Sequence, residues 1–272
     1  MQDRPLSDPI NAEFRNQIIK WGEISNNLSV WYYATNYLNY IVPQPNFYNW
    51  GPDLKFFSKN NVSGMLTHDN PGSGCLAGDF VRLRGWVMAH MLWNPSLSEK
   101  KLISEFLKGY YGPAAPYISK YLDIIHKPSK TRPHLVMAHK NWGYLTIDEM
   151  NKATRLFNSA EKAVAGLPEY FNRVHRDRLP LDHMWLLYYN RYKQEAHAAH
   201  TDFLSPEPIA SCNDQIQILN EAGNGQYFEN AGNGAYQIWM RNLADIASGK
   251  KTPPASVPEE CAGLSSDSWV DY

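Results

Sequence analysis

Two short clusters carry the residue types that could recognise a polar ring. The first holds Trp31, Tyr33, Asn36 and Tyr37, inside an aromatic stretch, LSVWYYATNYLNYIVPQPNFYNW (28–50), that has no charged residue. The second is the run His68, Asp69 and Asn70. Aromatic faces stack on the apolar faces of sugar rings, while amides and phenolic hydroxyls bond the ring hydroxyls. Such a set points to a carbohydrate site. Packing of Trp31, Tyr32 and Tyr33 into a core is the competing explanation. Strand alternation lets both hold, with successive side chains facing opposite ways. Carboxylates are fewer. Glycosidic cleavage uses two carboxyl groups, or one acid with a substrate acetamide as nucleophile. Only Asp69 and Asp79 are at hand, and neither sits in a pattern diagnostic of a general acid.

Other chemistries lack their motifs. Glu195, His197 and His200 in EAHAAH share a helical spacing but read as a solvated face, so no metal is expected. The PGSG loop (71–74) lacks the Lys-Ser/Thr of a phosphate loop, and no Gly-x-Ser-x-Gly elbow occurs. No cofactor is implied. Cys75, Cys212 and Cys261 are odd in number and scattered, giving neither a disulfide framework nor metal-ligand spacing.

The elements that must position these clusters follow from pattern. Phe14, Ile18, Trp21 and Ile24 recur at helical spacing, predicting an amphipathic helix over 12–26. Residues 28–35 and 62–68 are β-branched or aromatic and predict strands. A helix opened by Pro52 and closed by Asn60-Asn61 lies between them, and a helix over 80–93 follows. Strands alternating with helices imply a parallel sheet. Two strands are too few for one, since parallel sheets are covered on both faces. Either further strands lie upstream of this sequence or the fold is unusual. Ligands meet such sheets at the carboxyl ends of the strands, where both clusters fall.

From residue 96 the pattern is helical. Ser96/Glu99 and Thr146/Glu149 read as capping boxes, and Pro180 predicts a break. A domain over 1–95, a helical domain over 96–250 and, over the Pro/Ser-rich 251–272, a linker or the start of a further domain are expected. A short AGNG repeat (222–225 and 231–234) reads as paired turns. With 26 basic and 27 acidic residues and no basic stripe, nucleic acid is not an expected partner. No apolar run of 18 residues predicts a membrane span. The polar N-terminus has no signal-peptide core, so none is expected in this chain. Nothing in the sequence sets the oligomeric state.

The segments LSVWYYATNYLNYIVPQPNF, FFSKNNVSGMLTHDN, GDFVRLRGWVMAHMLWNP and EFLKGYYGPAAPYISKYLDIIH, with RLPLDHMWLL (178–187), resemble the family known as domain of unknown function 4838. That family looks like glycoside hydrolase family 163, similar to endo-β-N-acetylglucosaminidases acting on complex N-glycans. The resemblance spans roughly residues 4–200. It implies the last strands of a (β/α)8 TIM barrel, followed by helices. Residues 28–35 would form the seventh strand and 62–68 the eighth, with the acid/base carboxylate on an earlier strand outside this sequence. It further implies a glycan substrate and a secreted, periplasmic or cell-surface location. Trp31, Tyr33, Thr35, Asn36 and Asn70 match the family, and Tyr33 is the candidate for bonding the substrate acetamide. The sequence departs at Tyr32, where the family commonly has an acidic residue. It departs again at Thr67-His68-Asp69, where the family reads Glu-Gln-Gly. These departures leave a non-catalytic carbohydrate-binding scaffold as the alternative. An α-glucuronidase-like hydrolase, sharing the barrel-plus-helices layout, is a weaker one.

Overall fold

A computed structural model describes residues 4–37, 39–69, 77–129, 143–222 and 235–252. Asn70, the PGSG loop, the AGNG repeat and most of the 251–272 segment lie outside them.

Asp8 caps a 3-10 turn, Pro9–Asn11, by accepting the Ile10 N–H at 3.0 Å. The turn leads into α1 (Ala12–Ile24). β1 (Leu28–Tyr33), α2 (Trp50–Lys59) and β2 (Val62–His68) follow, then α3 (Val81–Trp93). The two strands pair in parallel, with Val30 opposite Met65, Trp31 opposite Leu66 and Tyr33 opposite His68. α2 stops where Asn61 takes φ 61°, a left-handed turn that asparagine tolerates. α1 rests on that same turn. A Cβ on Gly22 would meet the Asn60 carbonyl oxygen at 2.9 Å, and Asn61 Nδ2 donates to the Gly22 carbonyl at 2.8 Å.

Helices α4 (Glu99–Tyr111), α5 (Ala115–Ser129), α6 (Ile147–Ala163), α7 (Pro168–Asp177), α8 (Leu179–Leu187), α9 (Tyr189–Ala199), α10 (Pro208–Glu221) and α11 (Ala235–Ala247) complete the described chain. It is thus mostly helical, with one two-stranded parallel sheet. The capping box at Thr146/Glu149 forms. The one expected at Ser96/Glu99 does not. Ser98 caps α4 instead, while Glu99 turns inward and accepts the Gly51 N–H at 2.7 Å. A buried amide outbids a local cap because an unpaired buried donor is the costlier omission. The break at Pro180 occurs, Pro180 lying in the first turn of α8.

Among the described residues the main hydrophobic core includes residues from Leu6 to Ala244, so the sheet region and the helices share an interior, while Tyr37 and Tyr40 form a separate small cluster. Three buried polar ties cross between them. Besides Glu99 and Gly51, the Phe47 N–H donates to His126 Nε2 at 2.9 Å, and Asn39 Nδ2 lies 3.0 Å from His183 Nε2. His183 Nδ1 lies 3.1 Å from Gln215 Oε1, so a neutral ring with its proton on Nδ1 satisfies both neighbours. Burial pushes the His183 imidazole down to about 4, in keeping with that neutral form.

The apolar face expected of α1 is not covered. Phe14, Trp21 and Ile24 are 44%, 58% and 76% exposed. The helix forms where the spacing predicts, yet only Ile18 of that face packs on the core.

Candidate functional site

Period-2 alternation divides the sheet. Val30 and Tyr32 are buried beneath the helices, whereas Ser29, Trp31 and Tyr33 point to the other side. In parallel register Leu66 and His68 join that second face. It is open, with Trp31 60% exposed and Leu66 53%.

At the carboxyl ends of the strands the rings converge. Trp31 stacks on Tyr33 with centroids 6.3 Å apart and planes inclined by 29°. His68 lies 5.5 Å from Trp31, 5.7 Å from Tyr33 and 4.8 Å from Tyr37. Tyr37 meets Tyr33 edge-on at 4.9 Å and donates its hydroxyl to the His68 carbonyl oxygen. Tyr37 therefore locks the loop after β1 onto the end of β2. Among the described residues, His68 Nδ1 is buried and has no hydrogen-bond partner.

Thus Trp31, Tyr33, Tyr37 and His68 come together in space. Trp31 and Tyr33 present ring surface to the outside. Tyr37 and Asn36 are buried, so they stand behind that surface rather than on it. Tyr32 faces the core, where its hydroxyl donates to Asp53 at 3.2 Å, and has no place at the open face.

The carboxylates are organised by Arg84, which sequence reasoning missed. From α3 it donates Nη1 to the Ala34 carbonyl (2.6 Å) and to Asn46 Oδ1 (2.8 Å). Its Nη2 donates to the Asp79 carbonyl (3.0 Å) and pairs with the Asp79 carboxylate (3.3 Å). Nε lies 3.3 Å from Asp69, an ion-pair approach without hydrogen-bond alignment. The guanidinium also sits over Phe47, 4.8 Å from the ring centroid. This cation ties the ends of both strands to the 44–49 loop. Asp79 is fully buried, and burial pushes its carboxyl up to about 7 although Arg84 and the Gln44 N–H pull it down. A carboxyl so enclosed cannot reach a ligand in solution. Arg84 sits in GDFVRLRGW, a pattern that carries no signal of its burial.

Glu195, His197 and His200 do not assemble a metal site. Among the described residues no group of three His, Cys, Asp or Glu side chains is placed to hold a metal ion. No described helix is long and apolar enough to cross a membrane.

Fold and site together define a mostly helical protein with a small parallel sheet that carries an aromatic platform at its strand ends. Residues 1–123 match the family described as "Domain of unknown function (DUF4838)", in support of the resemblance to that family. No curated protein and no solved structure matches the chain.

Proposed function

We propose that the Trp31–Tyr33 platform is a sugar-binding surface and that the chain forms part of a glycoside hydrolase acting on β-N-acetylglucosaminides of complex N-glycans. One observation carries the proposal: two stacked, exposed rings beside His68, at the carboxyl ends of parallel strands. An exposed Trp-Tyr pair is costly to leave in water, and a pyranose face fits it. In this proposal β1 and β2 are the last strands of a (β/α)8 barrel and their open face is its interior. The uncovered apolar sides of β1, β2 and α1 support that arrangement. The substrate acetamide acts as the nucleophile, and the general acid comes from outside the described residues.

Titration of the purified chain with N-acetylglucosamine oligomers, followed by tryptophan fluorescence, tests the surface. Saturable quenching that Trp31→Ala removes is the expected result. Quenching unchanged in Trp31→Ala overturns the assignment.

A second proposal is binding without turnover, favoured by the capture of both Asp69 and Asp79 by Arg84. Titrating the purified full-length protein with N-acetylglucosamine oligomers while following turnover separates the two. Binding with turnover supports the hydrolase, and binding without turnover supports the second proposal.

A further inference from the structure

A cleft of about 950 Å³ is lined by α4 and α5, with Pro5 and Pro45 also among its lining residues. That volume is within the range of small-molecule sites, roughly 300–1,000 Å³. None of Trp31, Tyr33, Tyr37 and His68 lines it. Its walls are two helical stripes. α4 supplies Lys100, Ile103, Ser104 and Leu107, and α5 supplies Ser119, Asp123, His126 and Lys127. Ile103 and Leu107 are buried and make an apolar floor. Tyr48 adds a half-buried ring, its centroid 4.5 Å from that of His126 and its plane tilted by 49°.

The charges are unevenly matched. Arg4 is paired with Asp8 at 3.3 Å. Tyr48 donates to Asp123 over a long 3.5 Å. His126 spends its Nε2 as an acceptor from Phe47, which requires that nitrogen to be unprotonated. Lys100 and Lys127 make no hydrogen bond or ion pair with any described residue, and both are exposed. Two unmatched ammonium groups thus face one carboxylate. Lys100 is also in the first turn of α4, where the helix dipole is already positive and a cation is unfavourable. Its neighbour Glu99 gives little relief, since burial raises that carboxyl to about 7. An anion in the cleft would neutralise both lysines and meet the positive helix end, while serine hydroxyls from Ser104 and Ser119 supply donors.

We propose that this cleft binds a small molecule with a ring or other apolar body and one phosphate or carboxylate group. The body lies on Ile103, Leu107 and Tyr48, and the anionic group lies between Lys100 and Lys127. The proposal is independent of the sugar surface.

Isothermal titration of the full chain with phenyl phosphate, benzoate, phenol and inorganic phosphate tests it. Phenyl phosphate or benzoate is expected to bind at least about tenfold more tightly than either phenol or inorganic phosphate. The better of the two names the anionic group. Lys100→Ala/Lys127→Ala should weaken that binding about tenfold or more, and Lys100→Arg/Lys127→Arg should keep it. Ser119→Glu, an exposed substitution that adds a negative charge inside the cleft, should abolish it. Phenol binding as well as phenyl phosphate, the double alanine variant binding unchanged, or no heat with either aryl anion at millimolar concentration would each overturn the proposal.

Discussion

The two faces of β1 differ by one residue in sequence and by almost everything in environment. Tyr32 is sealed under α2, its ring edge-on to Phe57 at 6.2 Å and its hydroxyl on Asp53. Trp31 and Tyr33, its neighbours on either side, lie on the open face with Leu66 and His68. The buried face holds the protein together, and the open face is free to hold something else. Aromatic density alone therefore says little; the parity of the position decides what a ring does.

Four substitutions break or sharpen that contrast. Arg84→Leu should have the largest effect, because Arg84 joins the strand ends and leaves Asp79 buried without its cation. A loss of about 3–5 kcal/mol is expected on chemical denaturation. Tyr32→Ala empties the closed face and should cost about 3–4 kcal/mol in the same measurement. A loss below about 1 kcal/mol would mean that this face is not core.

Asp53→Asn acts through pH. Burial raises the Asp53 carboxyl from its ordinary value of 3.8 to about 7, although the Leu6 N–H and Tyr32 hydroxyl pull it down. A carboxyl raised in the folded state binds its proton more tightly there than when unfolded. Its stabilisation is complete below pH 3.8 and is lost as pH rises through about 7. Asp79 and Glu99 act in the same direction. Thermal melts should therefore show the protein losing stability from about pH 4 to about pH 7, with a shallower decline in Asp53→Asn. An unchanged slope would place the titration elsewhere.

Trp31→Ala should have the smallest effect on stability, within about 0.5 kcal/mol, because the ring is mostly in water. The same substitution should weaken N-acetylglucosamine-oligomer binding by roughly tenfold, about 1.4 kcal/mol. A large loss of stability instead would remove the contrast between the two faces.

The elements themselves were legible. Periodicity located α1, β-branched and aromatic composition located both strands, and the stop at Asn94-Pro95 bounded α3, each to within two residues. Convergence of Trp31, Tyr33, Tyr37 and His68 was also readable, since parallel pairing sets strand ends side by side. What could not be read depends on partners distant in sequence. Ser96 and Glu99 read as a capping box, yet Ser98 caps α4 and Glu99 reaches the Gly51 amide 48 positions earlier. Asn36 and Tyr37 look like ligand-binding residues by type and position, and both are buried, Tyr37 with its ring against Tyr40. Arg84 was invisible because its ligands come from the 34, 46, 69 and 79 positions. The exposure of α1 was hidden for the opposite reason: its pattern specifies a buried face, and no described residue covers it.

The histidine tie leaves a mark that can be sought in inheritance rather than in the test tube. Asn39, His183 and Gln215 form a chain of donor and acceptor roles, each fixed by the next. A change at one end reverses a role at the centre, so tolerated substitutions must arrive as sets. Among relatives, positions 39, 183 and 215 should therefore vary together. Position 39 lies within the segment matched by the family and the other two lie beyond residue 123. Concerted change across that boundary would show that the helices after it have travelled with the matched segment as one inherited unit.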